Sequence, residues 1–139
     1  AEWSIRRSDF NDLVGWCGWD PEIDAFATRE NAMLPQYVSR YPEAGARTDA
    51  LLQSWSNVKV YAFPPFSQVE PFLRLLAASQ NSRALLILPA CSDLPSGLRI
   101  VGSRPFSVPL VDAEGRVAAA PCPVSLAVFH VATTDLVDR

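Results

Sequence analysis

The first predicted element is a helix that buries one face. Over residues 9–18 the apolar positions recur at i, i+3, i+4 and i+7, the spacing of one face of a helix. That face consists of Phe10, Leu13, Val14 and Cys17. Ser8 is placed to cap the helix, and Gly15 or Gly18 is placed to end it.

The middle of the chain predicts a strand, a helix and a second strand in that order. Residues 58–63 alternate and are rich in β-branched side chains, and Pro64-Pro65 ends the strand because proline has no amide hydrogen for a ladder. Residues 67–70 have the spacing of a capping box, with Pro71 in the first turn of the helix. The predicted buried face of that helix consists of Val69, Phe72, Leu73 and Leu76. The continuous apolar run 84–89 is typical of a strand buried on both sides, so the order predicts a right-handed βαβ crossover.

The remaining segments predict shorter elements around that unit. Residues 22–27 indicate a short strand that runs into a loop, and residues 37–48, with their prolines and a glycine, indicate a meandering surface connection. Short strands near the C-terminus are expected to close the sheet, with a hairpin turn at 112–115; they are 98–101, 107–111, 116–119 and 124–132. The prediction is an α/β fold with a mostly parallel sheet and an antiparallel edge.

Composition, charge and cysteine content restrict the class of protein to which the chain can belong. The 139 residues are 49% hydrophobic and 19% charged, which predicts one globular domain over residues 1–139. No apolar run approaches the ~20 residues that span a bilayer, and residues 1–7 lack the apolar region of a signal peptide, so we expect no membrane insertion. The net charge of −3 excludes an overall positive field for nucleic acid, which leaves only local contacts. Three widely spaced cysteines indicate neither disulfides nor a zinc site. This favours a reducing compartment, so an intracellular location, nuclear or cytoplasmic, is expected.

Two predicted strand ends are candidates for a ligand site, because open α/β sheets bind ligands beyond the carboxyl ends of their strands. The first lies within residues 23–27, and the second, residues 61–66, reads Tyr-Ala-Phe-Pro-Pro-Phe. The second resembles the Asn/Asp-Pro-Pro-Tyr/Phe signature of amino methyltransferases that act on exocyclic nitrogens. In that chemistry the Asn or Asp side chain and the first proline carbonyl accept hydrogen bonds from the amine, and the aromatic ring stacks on the base.

The resemblance extends from residue 13 to residue 89, which is similar to the phage-type Dam family of DNA adenine-N6 methyltransferases. The ordered matches are residues 23–32, Asp49-Ala50-Leu51 with Trp55, Pro64-Pro65-Phe66 and residues 86–90, with a looser match at 100–106. The sequence is closer still to the Dam-like segment that follows the RNase H domain in DIRS-like, tyrosine-recombinase retrotransposons. The further matches there are Glu2-Trp3-Ser4, Leu34-Pro35, Tyr37-Val38-Ser39, Pro42 and Gly45-Ala46.

This resemblance implies a Rossmann-like, methyltransferase-type sandwich and an S-adenosylmethionine site. It assigns cofactor binding to Asp24, Ala25, Phe26, Ala27 and Asn31, and the catalytic loop to Phe63, Pro64, Pro65 and Phe66. Phe63 stands at the position of the catalytic Asn or Asp, and its ring has no acceptor for the target amine. Losing such a polar group costs ~2.7–4 kcal/mol of transition-state stabilisation. Residues 27–30 also lack the glycine that a close backbone approach favours, which leaves loss of cofactor binding open.

The resulting prediction is a degenerate, catalytically inactive DNA adenine methyltransferase-like domain of a retrotransposon polyprotein, or of a host protein derived from one. It would act as an accessory or interaction module, with DNA, an RNA–DNA hybrid, or the RNase H and reverse transcriptase domains as partners. Two alternatives stay open: an active S-adenosylmethionine-dependent adenine-N6 methyltransferase, and a protein-binding scaffold. The candidate nucleic-acid contacts are Arg40, Arg47 and Arg104, and with Arg6 and Arg7 they could form a phosphate-binding edge only if folding brings them together.

Several candidate residues also have ordinary structural interpretations. Asp24 could be a turn carboxylate, and Asp49 is favoured as the cap of residues 50–52. His130 lies in an apolar run and is predicted to be a packed strand residue rather than part of a triad with Ser92 and Asp93. Core and rim packing is more typical than base stacking for the four tryptophans, which are Trp3, Trp16, Trp19 and Trp55.

Overall fold

The computed structural model describes residues 3–119 and 121–136, and within them the chain forms nine strands and two α-helices. The strands are β1 (Ser4–Ile5), β2 (Ile23–Asp24), β3 (Val38–Ser39), β4 (Arg47–Thr48), β5 (Lys59–Ala62), β6 (Arg83–Pro89), β7 (Leu98–Phe106), β8 (Leu110–Val111) and β9 (Leu126–Thr133). The helices are α1 (Arg7–Cys17) and α2 (Val69–Ala77), and short 3-10 turns occur at Ala50–Leu52 and Phe66–Gln68.

The main sheet confirms the predicted α/β architecture. Its five strands lie in the order β2-β5-β6-β9-β7, with β2, β5 and β6 parallel and β9 antiparallel to both of its neighbours. The parallel pair β3-β4 continues this sheet, because a single parallel bridge joins Asp24 to Tyr37. The full order is therefore β4-β3-β2-β5-β6-β9-β7, with its antiparallel pairings confined to one side.

The predicted strand–helix–strand unit is the centre of the fold. β5 and β6 pair in parallel and α2 connects them. The predicted apolar face of α2 is buried, and the interior of β6 is shielded on both sides. The predicted capping box is wrong: Ser67 lies inside the 3-10 turn, and no side chain caps α2. The Gln68 amide donates to Pro65 O, which closes a turn directly after the two prolines and leaves Ser67 no role as a cap.

Helix α1 begins two residues earlier than predicted. Arg6 occupies the cap position in an extended conformation, so the prediction that Ser8 caps the helix is wrong. The Arg6 guanidinium instead bonds the Asp9 carboxylate at 2.8 Å across the first turn, where an acidic side chain also interacts favourably with the helix dipole. Gly18 ends the helix as predicted, with a φ of +83° that a residue with a side chain rarely adopts.

Two other predictions need correction. The segment 37–48 is only partly a surface connection, because Tyr37, Val38 and Ser39 are buried, and Val38 and Ser39 form β3. The C-terminal strands do not all close the main sheet: β8 pairs with β1 in a separate two-stranded sheet, and 116–119 contributes only one antiparallel bridge. That bridge does close the predicted hairpin turn.

Apolar side chains fill both faces of the sheet. One cluster packs α2 against the sheet and includes Trp55, whose indole N–H donates to Ala50 O at 2.8 Å. The other packs α1 against the opposite face and includes Phe10, whose ring meets that of Tyr61 edge-on. Within the described residues, no helix has both the length and the apolar character that crossing a bilayer requires.

Candidate functional site

A cleft of about 1010 Å³ lies beyond the carboxyl ends of four parallel strands. It is lined by residues that directly follow these strands: 25–27 after β2, 40–41 after β3, 49–51 after β4 and 63–66 after β5. This is the position at which open α/β sheets bind ligands, and the volume suffices for a small molecule. Folding therefore brings the two predicted strand ends into one cleft, together with Asn31.

The loop after β5 gives one end of the cleft an apolar wall. The Phe63 side chain is 7% exposed and packs with Tyr61 in the core beside α1, while it still lines the cleft. Pro64 is buried and Phe66 is half-buried. The Phe66 ring lies 5.7 Å from the ring of Trp3, and both line the cleft. Carbon therefore occupies the position at which the resemblance would place a side-chain oxygen.

The loop after β2 uses its backbone N–H groups internally. Every amide from residue 24 to residue 28 donates a hydrogen bond within the chain. In order, the acceptors are Gln36 O (3.0 Å), Tyr61 O (2.9 Å), Asp24 Oδ1 (3.3 Å), Val38 O (3.0 Å) and Asn31 Oδ1 (2.7 Å). Asn31 thus closes a turn with Thr28. The loop is held by bonds to the chain on both sides of it.

Asp24 lies beneath this loop and does not line the cleft. Its carboxylate is 2% exposed and accepts hydrogen bonds from the amides of Phe26 and Met33, while Arg7 donates to the Met33 carbonyl at 2.7 Å. Burial raises the pKa of Asp24 to about 7, against the opposing effects of the two amides and the Arg7 charge. Burial and this carboxylate together raise the pKa of Tyr61. The geometry is that of a turn carboxylate, and a direct cofactor contact stays a prediction.

Asp49 caps the 3-10 turn after β4, as predicted. Its Oδ1 accepts the Leu51 amide at 3.0 Å, and its φ of +63° is unusual for a residue with a side chain. Asp49 lines the cleft, and Oδ2 has no hydrogen-bond donor in the part of the chain that the structure describes. Glu43 also lines the cleft and accepts a 2.5 Å hydrogen bond from the Tyr37 hydroxyl, which raises the pKa of Tyr37.

The sequence analysis missed Ser39, Glu43 and Trp3 as cleft residues. Ser39 ends a strand of two residues, which is too short to show a period. Trp3 precedes β1 and is distant in sequence from the other lining residues. The pairing of β1 with β8 and the contact of its ring with Phe66 bring it to the cleft. The signal that could have found Trp3 and Ser39 was their match to the retrotransposon segment.

The arginines do not form one edge. Arg40 lines the cleft and Arg47 is exposed on β4. Arg104 lies over the Trp16 ring, 5.0 Å from its centroid, and lines a second cavity that shares no lining residue with the first. Arg6 and Arg7 bond Asp9 and the Met33 carbonyl. The predicted assembly of all five into a phosphate-binding edge is therefore not formed.

His130 is a packed residue of β9, as predicted. Its Nε2 accepts a 2.8 Å hydrogen bond from the Trp19 indole, and the Trp16 ring lies edge-on to it. It is paired across the sheet with Leu85, whereas Ser92 follows the end of β6. Among the described residues, no group of three or more His, Cys, Asp or Glu side chains could hold a metal ion.

Comparison with known proteins shows the fold. Neither a protein-family model nor a curated protein matches the sequence. Solved structures do match. A proposed RNA methyltransferase from Pyrococcus horikoshii has a TM-score of 0.60 at 10% identity, covering 95% of this chain and 86% of that one. The 23S rRNA methyltransferase ErmE has a TM-score of 0.58 at 8% identity, covering 95% and 70%.

A third match, the proposed methyltransferase yhhF from Escherichia coli, has a TM-score of 0.56 at 12% identity and covers 92% of this chain and 87% of that one. At such identities the similarity shows the fold alone. The chain has the methyltransferase fold, a Rossmann-like α/β sandwich, and the predicted fold class is confirmed. The cofactor of that fold, S-adenosylmethionine, fits this cleft only in part. Aromatic rings and the Asp49 carboxylate could receive its nucleoside, but the amides of residues 24–28 are already engaged.

Proposed function

We propose that this chain is a degenerate DNA adenine methyltransferase-like domain that does not transfer methyl groups. In this proposal it serves as an accessory or interaction module of a retrotransposon polyprotein, or of a host protein derived from one. The observation that carries the proposal is the buried phenyl ring of Phe63 at the carboxyl end of β5, where it lines the cleft. The retrotransposon context rests on the sequence resemblance.

The group that an adenine-N6 methyltransferase must orient is the exocyclic amine of the base. An exocyclic amino group donates hydrogen bonds, so a site that orients it needs acceptors, and Phe63 offers none. Absence of one preorganised polar group costs ~2.7–4 kcal/mol, or ~100- to 1000-fold in rate. The ring also packs against Tyr61 and the core beside α1, so this position contributes to stability. We infer that position 63 now serves packing in place of substrate orientation.

An interaction role is supported by the rim of the cleft. Tyr41, which lines it, is 67% exposed, and Leu52, which follows the lining residue Leu51, is 79% exposed. Contiguous exposed apolar surface marks interaction sites, and Tyr41 and Leu52 would supply it if they form one patch.

A methyl-transfer assay tests the proposal. Wild-type protein is incubated with S-adenosylmethionine and adenine-containing single- or double-stranded DNA, and N6-methyladenine is measured. We expect no product above the protein-free control. Transfer by the wild type that is abolished by Phe66→Ala would refute the proposal, because the activity would then come from this cleft.

A substitution at position 63 tests the ancestry of the loop. Phe63→Asn restores an acceptor, and Phe63→Leu is the matched control that restores none. Transfer by the Asn variant alone would support an inherited catalytic geometry. Silence of a folded Asn variant that binds S-adenosylmethionine would count against that geometry. Circular dichroism verifies that each variant is folded.

A further inference from the structure

We infer that the cleft takes the nucleoside part of a ligand alone, a purine nucleoside or its thioether without an amino acid tail. The inference rests on the proposed function, because it concerns the same cleft of a domain that does not transfer methyl groups. It adds what that cleft binds. S-adenosylmethionine and its by-product carry an amino acid whose carboxylate needs hydrogen-bond donors, and the loop after β2 keeps its backbone donors engaged within the chain.

The backbone donors of the loop after β2 are engaged within the protein. The amides of residues 24–28 are all used within the chain, and those of residues 31–33 donate to Thr28 O or to Asp24 Oδ2. A ligand carboxylate could take one of these donors only by breaking a bond that shapes the loop, and the abandoned acceptor would then lose its partner. Asp24 lies under the same loop, so its charged form would repel a ligand carboxylate.

The charged side chains that line the cleft do not favour an anion. Among the described lining residues, Arg40 is the one cation, against the carboxylates of Glu43 and Asp49. The Arg40 guanidinium lies over the Tyr41 ring, 5.6 Å from its centroid, and Tyr41 is exposed at the rim. One cation against two carboxylates gives the described lining no net positive charge that would attract a ligand carboxylate.

The cleft does offer surfaces that suit a base and a sugar. Phe26, Phe63, Phe66 and Trp3 supply aromatic surface for a base, and Phe26 is fixed edge-on against Phe72 at 5.0 Å. The Asp49 carboxylate supplies an acceptor for a ribose hydroxyl, because Oδ1 is engaged by Leu51 while Oδ2 has no protein donor among the described residues. The cleft thus has partners for a base and a sugar.

Calorimetric titration of the wild-type protein tests the inference with two ligands. S-adenosylhomocysteine and 5′-deoxy-5′-methylthioadenosine share the adenosine and the thioether and differ in the amino acid tail. We expect Kd values within about tenfold of one another, a difference below about 1.4 kcal/mol. S-adenosylhomocysteine binding more than about tenfold tighter would overturn the inference. Failure of both ligands to bind at about millimolar concentration would overturn it as well.

Two variants locate the binding. Asp49→Asn keeps Oδ1 for the Leu51 amide and replaces Oδ2 by a donor, so it is expected to weaken both ligands to a similar extent. Asp12→Asn, on the exposed face of α1, is the matched control and is expected to change neither. Unchanged affinity in Asp49→Asn would overturn the placement of the nucleoside. Methyl transfer by the wild type would refute the proposed function, whereas the ratio of the two Kd values reports only on the tail.

Discussion

The buried carboxylate of Asp24 makes the stability of this domain depend on pH in an unusual direction. Its pKa in the folded protein is about 7, against an ordinary value of 3.8. The folded state therefore holds the proton more tightly than the unfolded state does. Stability from this group is fully present below pH ~3.8 and is lost as the pH rises through about 7. Most paired carboxylates behave in the opposite way.

The magnitude follows from the two pKa values. At about 1.4 kcal/mol for each pKa unit, the rise from 3.8 to about 7 corresponds to roughly 4 kcal/mol in total. Linkage places roughly 2–3 kcal/mol of this loss between pH 5 and pH 8. Since a small domain is stable by about 5–15 kcal/mol, the effect is large enough to measure.

Urea unfolding of wild type and Asp24→Asn between pH 5 and pH 8 isolates the effect. An amide at position 24 can accept from only one of the two amides, so the variant loses stability at every pH, but the amide does not titrate. Titrations elsewhere, such as that of Asp135, whose pKa is lowered, are shared and cancel in the difference. The stability of wild type relative to the variant should fall as the pH rises.

The exposed carboxylate of Asp12 provides the control, because Asp12→Asn should show no such trend. A wild-type advantage over Asp24→Asn that is constant or grows with pH would refute the reasoning. It would mean that Asp24 is charged in the folded protein at pH 5.

Two substitutions test the packing of the fold. Gly97→Ala would place its Cβ 2.3 Å from the carbonyl oxygen of Ala77, so it should lower the free energy of unfolding by ~1–3 kcal/mol. Gly15→Ala, which meets nothing within 4 Å inside α1, should instead raise it by ~0.5–1 kcal/mol, and denaturant titration of both checks this contrast. Leu86→Ala in the fully buried centre of β6 should cost ~2–5 kcal/mol, and a loss below ~1 kcal/mol would show that the site collapses around the cavity.

The unit of β5, α2 and β6 was predictable because its signals are local. Each signal lies within a few neighbouring residues: the alternation of β5 and the prolines that end it, the apolar face of α2, and the apolar run of β6. The same holds for the end of α1 at Gly18. The strands β1, β3 and β4 were not predictable, because each has two residues without a local pattern and is defined by pairing with another segment. For β8 the strand itself was predicted, but its pairing with β1 was not.

The candidate site divides in the same way. The residues that line the cleft after β2 and β5 could be predicted, because they follow recognisable strands and the rule for open sheets places ligands there. The burial of Asp24 could not, because its partner Met33 lies nine residues further along, and Arg7, which donates to the Met33 carbonyl, comes from a helix without a local signal for the contact. The absence of glycine in residues 27–30 indicated a changed loop, but the acceptors of its backbone amides could not be predicted from the sequence.

The bonds that occupy those amides have a structural reason. The connections from β2 to β3 and from β3 to β4 contain no α-helix, so backbone bonds from the loop after β2 contribute to holding these strands together. The Ala25 amide bonds Tyr61 O of β5, and the Ala27 amide bonds Val38 O of β3, so the loop after β2 joins the strands on both sides of it. A glycine turn that offered these amides to a ligand would release both links. In this chain these two donors link the loop to β5 and to β3, so neither can bind a ligand carboxylate without releasing its link to a neighbouring strand.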